Sequence, residues 1–477
     1  MTTQYIEQNA HKIYDEISTT WDNSIIPELI EYIKIPNKSV HFDPDWKKHG
    51  YMDQAMQLIV QWCKQQPIKE MKLELLESEG RTPLLFIDIP GQLDETVLLY
   101  GHMDKQPEMK GWDADLGPWK PVLKDEKLYG RGGADDGYSS FASLTAIATL
   151  QRHHIPHARC VVIIEACEES GSADLPYYLT QLKDRIGNPN LVICLDTGCG
   201  NYEQMWSSTS LRGVVSGKLT IEMLTNGIHS GIGSGVVPST FMVLRQLLNR
   251  IEDPDTGKII LNDLLVDIPE HRVAQARNTA NTVRDIFFNT FPFIADAKPI
   301  THDITELLLN QTWRPQLSVI GMDGLPPTAN AGNVTLPNLT VGLSVRIPPS
   351  CDGEHAITAL KKVLESDPPY NAKVTFKPDT PGNGWEAPKL SPWLKKANDE
   401  ASMQFYGKPA AYFGEGGSIP FMGMLGKMYP DAQFLITGVL GPQSNAHGPN
   451  EFLHIPMAKK ITGCVASVLA AHYEQFK

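Results

Sequence analysis

The chain has 477 residues, 42% hydrophobic and 20% charged, with 42 Lys and Arg against 55 Asp and Glu and a formal net charge of -13. That length holds two domains with separate cores, in the composition of an ordinary soluble globular protein. The acidic balance, without any Lys/Arg-rich run, excludes a nucleic-acid partner, and no apolar run approaches the ~20 residues that span a bilayer.

The first forty residues read as helical, followed by a Trp-containing loop at Asp43-Pro44-Asp45-Trp46 and an amphipathic helix over 53–65. Strands are predicted at 71–76, 84–89 and 96–100, a helix at 139–150, a strand at 159–166, a helix at 173–183 and a strand at 191–196. This βαβ rhythm implies a sheet that is parallel at least in part. From about Arg212 the pattern changes. Alternating strands at 214–222 and 339–346, a strand at 372–376, and helices at 239–250 and 353–365 suggest a small α+β domain inserted into the first. Between them, a loop- and helix-rich stretch runs to about Gln316. The first rhythm resumes with a helix at 392–406, a glycine-rich turn at 414–417, a strand at 433–437 and a final helix at 456–476. The expected organisation is a catalytic domain in two parts, 1–211 and 388–477, around an insertion at 212–387. Seven scattered cysteines without a C-x-x-C pair, and a start (Met1-Thr2-Thr3-Gln4-Tyr5) without a basic-then-apolar leader, predict a cytoplasmic protein.

Four segments place metal-binding side chains near strand ends: His102 and Asp104 after Val97-Leu98-Leu99, Asp135 in Gly130-Arg131-Gly132-Gly133-Ala134-Asp135-Asp136-Gly137 before a helix, Glu168-Glu169 after Val161–Ile164, and Asp196 after 191–195. A second histidine, His447, follows the strand at 433–437. Taken singly, His102 is an ordinary core histidine, and Glu168-Glu169 or Asp196 an ordinary turn. Acids do not gather at buried strand ends without a cation or partner, and open α/β sheets place their chemistry at this edge. Five protein ligands suffice for two ions if one carboxylate and one water are shared. Asp135 is the natural bridge. His102 and Asp196 then hold one ion, and Glu169 and His447 the other. Glu168, left over, is placed as general base for the shared water, and Asp104 as the carboxylate that orients His102. Imidazole and carboxylate ligands without cysteine suit Zn²⁺, Mn²⁺ or Co²⁺.

These segments resemble the M20 metallopeptidase family, especially its carnosinase-like, cytosolic dipeptidase branch, over nearly the whole chain. The motifs are H-x-D, G-R-G-x-x-D-D, the E-E pair, L-D-x-G, G-x-H-S-G inside the insertion, E-G-G-S, and the late histidine. The resemblance implies a mixed, largely parallel α/β catalytic domain of zinc-peptidase type with an inserted α+β lid and dimerisation domain. It implies the ligand and base roles above, and hydrolysis of dipeptides with a free C-terminal carboxylate. It further implies a homodimer formed through the insertion, with His229 reaching the partner's site to stabilise the oxyanion, and Arg346 at the substrate carboxylate. Gly417 and Ser418, at a predicted helix start over 419–425, offer free amides and a hydroxyl to the same carboxylate, or serve as a plain helix cap. Two positions depart from the family pattern. Lys105 replaces a small apolar residue and is free to pair with Asp104, with another carboxylate, or with solvent. Gly414 stands where the branch carries arginine. The rival functions are an N-acyl or N-carbamoyl amino acid amidohydrolase of the same fold and a non-catalytic metal- or peptide-binding protein. An unligated Glu168 argues against the second.

Overall fold

The computed structural model describes residues 2–477. Its central sheet contains β1 (Lys72–Leu76), β2 (Leu84–Ile89), β3 (Leu93–His102), β4 (Ala158–Glu165), β5 (Pro189–Cys194) and β6 (Gln433–Ile436), in the spatial order β1-β2-β4-β3-β5-β6. The four strands β4, β3, β5 and β6 run parallel, while β2 is antiparallel to both its neighbours. The sheet is therefore mixed and largely parallel. Its strands read as unbroken apolar runs because both faces are covered. Val97 and Leu99 face one core with the helices Tyr138–Arg152 and Ile455–Phe476. Leu98 and Tyr100 face another with Leu175–Ile186 and Pro420–Met428.

A second sheet is antiparallel, in the order Gln316–Asp323, Asn338–Ile347, Gly213–Glu222, Lys373–Pro378. It shares a separate core with the helices Thr240–Leu248 and Gly353–Glu365. Three of these strands and both helices are those expected from alternation and helical period. The fourth, Gln316–Asp323, begins where the predicted loop- and helix-rich stretch ends, and no predicted element covers it. It is an edge strand with Val319, Ile320 and Met322 exposed, so it lacks the inward apolar register that marks a strand. A third small sheet was also unforeseen. In it Trp206–Leu211 pairs in parallel with Ala411–Glu415. Trp206–Leu211 is buried throughout yet reads Ser-Ser-Thr-Ser in its middle, so polarity hides it from any hydrophobic pattern. Gly414 lies inside the partner strand rather than in a turn. A Cβ at that position would meet Ser210 Oγ at 2.6 Å and Thr312 Cβ at 3.0 Å, so any side chain there requires both neighbours to shift.

The N-terminal helices brace the turn that carries His102. Tyr32 Oη and Asn37 Nδ2 both donate to the Met103 carbonyl, at 2.5 and 2.6 Å. Lys105 pairs with no carboxylate and does not reach solvent. Fully buried, its ammonium donates to the carbonyls of Tyr32 (2.7 Å) and Ile35 (2.8 Å) and sits 3.8 Å from the Tyr32 ring centroid. Carbonyls at a helix C-terminus are a favourable seat for a cation. Burial nevertheless draws the Lys105 ammonium well below the usual lysine range. Gly132, at φ +80°, is the surface the lysine stem lies on: a Cβ there would come within 2.7 Å of Lys105 Cδ.

Lys105→Met keeps the apolar stem but strands the Ile35 carbonyl, a loss worth about 1–3 kcal/mol when it is left without a donor; the Tyr32 carbonyl keeps the Ile35 amide at 3.1 Å. The variant should unfold at lower denaturant than the parent. An unchanged midpoint would show that water reaches the Ile35 carbonyl.

Candidate metal centre

β3, β4 and β5 end at one edge of the sheet, and their C-terminal extensions carry His102, Glu168 and Glu169, and Asp196. Asp135 comes from the tight turn before the helix Tyr138–Arg152, and Gly101 permits its approach: a Cβ there would lie 2.9 Å from Asp136 Oδ2 and from Ser139 Cβ. Asp135 sits between the two histidines. Its Oδ1 is 3.4 Å from His102 Nε2, and its Oδ2 is 3.0 Å from His447 Nε2. On the far side of His102, Nε2 is 3.5 Å from Asp196 Oδ2. On the far side of His447, Nε2 is 3.4 Å from Glu169 Oε2. Glu168 joins the His102–Asp196 side, all three offering ligand atoms within 4.8 Å of one another.

Three of these four spacings, at 3.4–3.5 Å, fit metal ions better than direct hydrogen bonds. Two donors each ~2.1 Å from a tetrahedral ion stand about 3.4 Å apart, beyond the usual ~2.9 Å of an N–H···O bond. His102 Nε2 and Glu169 Oε1 are buried without any hydrogen-bond partner. The charges point the same way. Burial pushes Glu168 and Glu169 well above the usual carboxylate range, with their acidic neighbours adding to it, and raises Asp196 too. Burial alone would raise Asp135 as well, but the two flanking imidazoles, His102 and His447, hold it below its ordinary value. Burial favours a neutral His102, yet Asp196, Asp104 and Asp135 outweigh it and lift the imidazole well above its usual range. Such a crowd of acids around two imidazoles is a seat for divalent cations.

Asp104 is buried and accepts the backbone N–H groups of Glu168 and Glu169, both at 3.0 Å. It thus sets the turn carrying those acids. His102 Nδ1 is nearer to the Asp104 main-chain carbonyl (3.1 Å) than to its carboxylate (3.4 Å), so both orient the ring. Other supports were not foreseen. Gln106 Nε2 donates to Glu169 Oε2 at 2.6 Å, and Asp136 Oδ2 accepts the His102 amide at 3.2 Å. Arg131 and Glu451 form a buried ion pair. Arg131 also donates to the Gly448 carbonyl (2.7 Å), and Glu451 accepts the Gly132 amide (2.9 Å). This pair ties the His447 loop to the Asp135 turn. The flanking Arg131 and Glu451 in the two motifs were the available signal, and only contact shows that they meet.

His229, Arg346, Gly417 and Ser418 make no recorded contact with this cluster. His229 is exposed on a two-stranded ribbon, and its Nδ1 accepts the Gly231 amide at 3.0 Å. Arg346 is half-buried on the second sheet. Gly417 and Ser418 precede a helix running Pro420–Met428, which Ile419 rather than Ser418 caps, without a side-chain hydrogen bond.

A model of peptidase family M20/M25/M40 matches residues 98–471, well over half of the chain. A cysteinylglycine-S-conjugate dipeptidase of Corynebacterium striatum is 23% identical over 373 residues, covering 76% of this chain and 79% of that protein. Among solved structures, the di-peptidase Dug1p of Saccharomyces cerevisiae aligns over 100% of both chains with a TM-score of 0.76 at 20% identity. Human carnosine dipeptidase 1 aligns over 98% of this chain and 99% of its own, with a TM-score of 0.75 at 19% identity. At these identities the structural likeness speaks for the fold, and α/β architecture with mixed sheets is common to all three.

Glu451→Ala leaves Arg131 buried and unpaired, a change that costs about 3–5 kcal/mol in typical cases. The variant should unfold earlier in denaturant and retain less metal on dialysis. Full retention of both stability and metal would remove the pair from the support of His447.

Proposed function

The chain belongs to peptidase family M20/M25/M40, and from that premise we propose that it is a dinuclear metal-dependent dipeptidase acting on dipeptides with a free C-terminal carboxylate. The observation that carries this is Asp135 lying between His102 and His447 at 3.4 and 3.0 Å, a spacing suited to one carboxylate shared by two ions. In this proposal His102, Asp135 and Asp196 hold one ion and Asp135, Glu169 and His447 the other. Zn²⁺ is the first choice, with Mn²⁺ or Co²⁺ suiting the same donors. When bound, the ions would acidify a water and polarise the scissile carbonyl.

The chain's own groups do the rest. Glu168, buried and pushed toward its protonated form, takes a proton from the attacking water and delivers it to the leaving amine. Asp104 holds the Glu168 backbone in place for this. Arg346, with Gly417 and Ser418, is assigned to the substrate carboxylate; a guanidinium suits that group. The N-acyl amidohydrolase alternative is not favoured, because the relatives matched in sequence include Cys-Gly and Beta-Ala-His dipeptidases.

The proposal extends to a lid and dimerisation role for 212–387, between the catalytic parts 1–211 and 388–477. Its support is the edge strand Gln316–Asp323, where Val319, Ile320 and Met322 are 47%, 67% and 40% exposed. An exposed apolar edge is a template for pairing with a second copy. His229, remote from its own cluster, would then serve the partner's site. A cytoplasmic setting is proposed from the seven cysteines, all free and buried. Among the described residues no helix is long and apolar enough to cross a membrane.

Glu168→Ala should abolish dipeptide hydrolysis on metal-reconstituted protein while metal content stays near two ions per chain; normal turnover would refute the mechanism. For the shared site, inactive His229→Ala and inactive Glu168→Ala proteins should regain partial activity when mixed under conditions that exchange subunits. Absence of rescue after proven exchange would count against it.

A further inference from the structure

Beside Arg212 lies a cavity of about 380 Å³. Phe288, Phe291, Phe293 and Ile300 give it an apolar wall, Arg212 and Lys298 give it positive charge, and no acid lines it. Phe291, Phe293 and Ile300 are 38%, 47% and 75% exposed, an uncovered apolar rim that invites a ligand. Arg212 is buried at the bend between Trp206–Leu211 and Gly213–Glu222. Its guanidinium donates to the carbonyls of Gly416 (3.2 Å), Asn310 (3.2 Å) and Arg314 (3.3 Å). Carbonyls satisfy its hydrogens but leave its charge uncompensated. Burial draws Arg212 down to about 10 with Arg346 adding to it, and burial draws Arg346 down too; no carboxylate figures among the groups acting on either.

The cavity is linked to the proposed site of reaction through two neighbours. Arg346 is the sheet partner of Gln316, which lines the cavity. The loop whose Gly416 carbonyl binds Arg212 also touches the metal candidates' side, where Glu415 Oε1 accepts the Gly198 amide at 3.2 Å, two residues beyond Asp196. One guanidinium lining an apolar cavity, with a second on the strand paired to its wall, describes a binder for an anion with an apolar body. The C-terminal residue of a dipeptide is one when its side chain is apolar. Ligand cavities start at about 300 Å³, so this one is of a size for a single large side chain.

Resting on the dipeptidase reading, we propose that this cavity is the specificity pocket for the C-terminal residue: it takes a large apolar or aromatic side chain while Arg346 and Arg212 hold the adjoining carboxylate. Nothing in the Asp135 cluster selects that side chain. The residues that do would be those of the segment around Phe288–Ile300.

The test is kcat/KM on Gly-Phe, Gly-Leu and Gly-Gly for metal-reconstituted parent, Phe288→Ala and Ile300→Glu proteins. The parent should prefer Gly-Phe and Gly-Leu over Gly-Gly by on the order of tenfold or more, mainly through KM. That ratio should fall several-fold in both variants. Ile300 is exposed, so its variant remains informative even if Phe288→Ala fails to fold. A parent that cleaves all three equally, or a ratio unchanged in folded Ile300→Glu protein, overturns the pocket and leaves the dipeptidase proposal standing. A parent that cleaves no dipeptide overturns both.

Discussion

Everything at the active edge depends on negative charge held out of water. Asp135, Asp196, Asp104 and Asp136 are buried around a buried His102, with Glu168 and Glu169 beside them. A protein interior tolerates such a group only with compensating positive charge. Two imidazoles are too few for this number of carboxylates, and the donor spacings near 3.4 Å leave room for ions among them. The rest of the catalytic half is built to hold that arrangement still.

The bracing comes from three directions. The N-terminal helices grip the Met103 carbonyl and receive the Lys105 ammonium, which anchors the segment behind His102. Asp104 collects the amides of Glu168 and Glu169, binding one strand-end turn to the next. Arg131 and Glu451 lock the His447 loop, the most exposed contributor, onto the Asp135 turn. None of these groups need touch substrate. Each removes freedom from a side chain that would, and preorganisation of that kind is what a charged site in low dielectric requires.

The second sheet is built on different terms. Its core is separate and its edge strand is exposed and apolar, and the proposed pairing with a second copy rests on that outward edge. Lys105 and Gly414, the two departures from the family pattern, have structural explanations. The lysine serves a helix end, and the glycine fills a place where a side chain would require Ser210 and Thr312 to shift. In the proposed site, Arg346 and the buried Arg212 supply the positive charge that Gly414 does not.

The sequence alone determined the elements with strong periodicity and the chemistry at strand ends. Unbroken apolar runs ending in His, Asp or Glu announce parallel strands with a polar edge, and alternation marked three strands of the second sheet, because both signals are local. It could not reveal Trp206–Leu211, whose serines are buried, nor Gln316–Asp323, whose apolar residues are exposed; in each, tertiary surroundings override composition. It likewise could not say where Lys105 points, that Arg131 meets Glu451 across 320 positions, or that Arg212 stands beside an aromatic cavity. Those are contacts between residues distant along the chain. They exist only once the backbone has brought them together, and no local pattern encodes a partner hundreds of residues away.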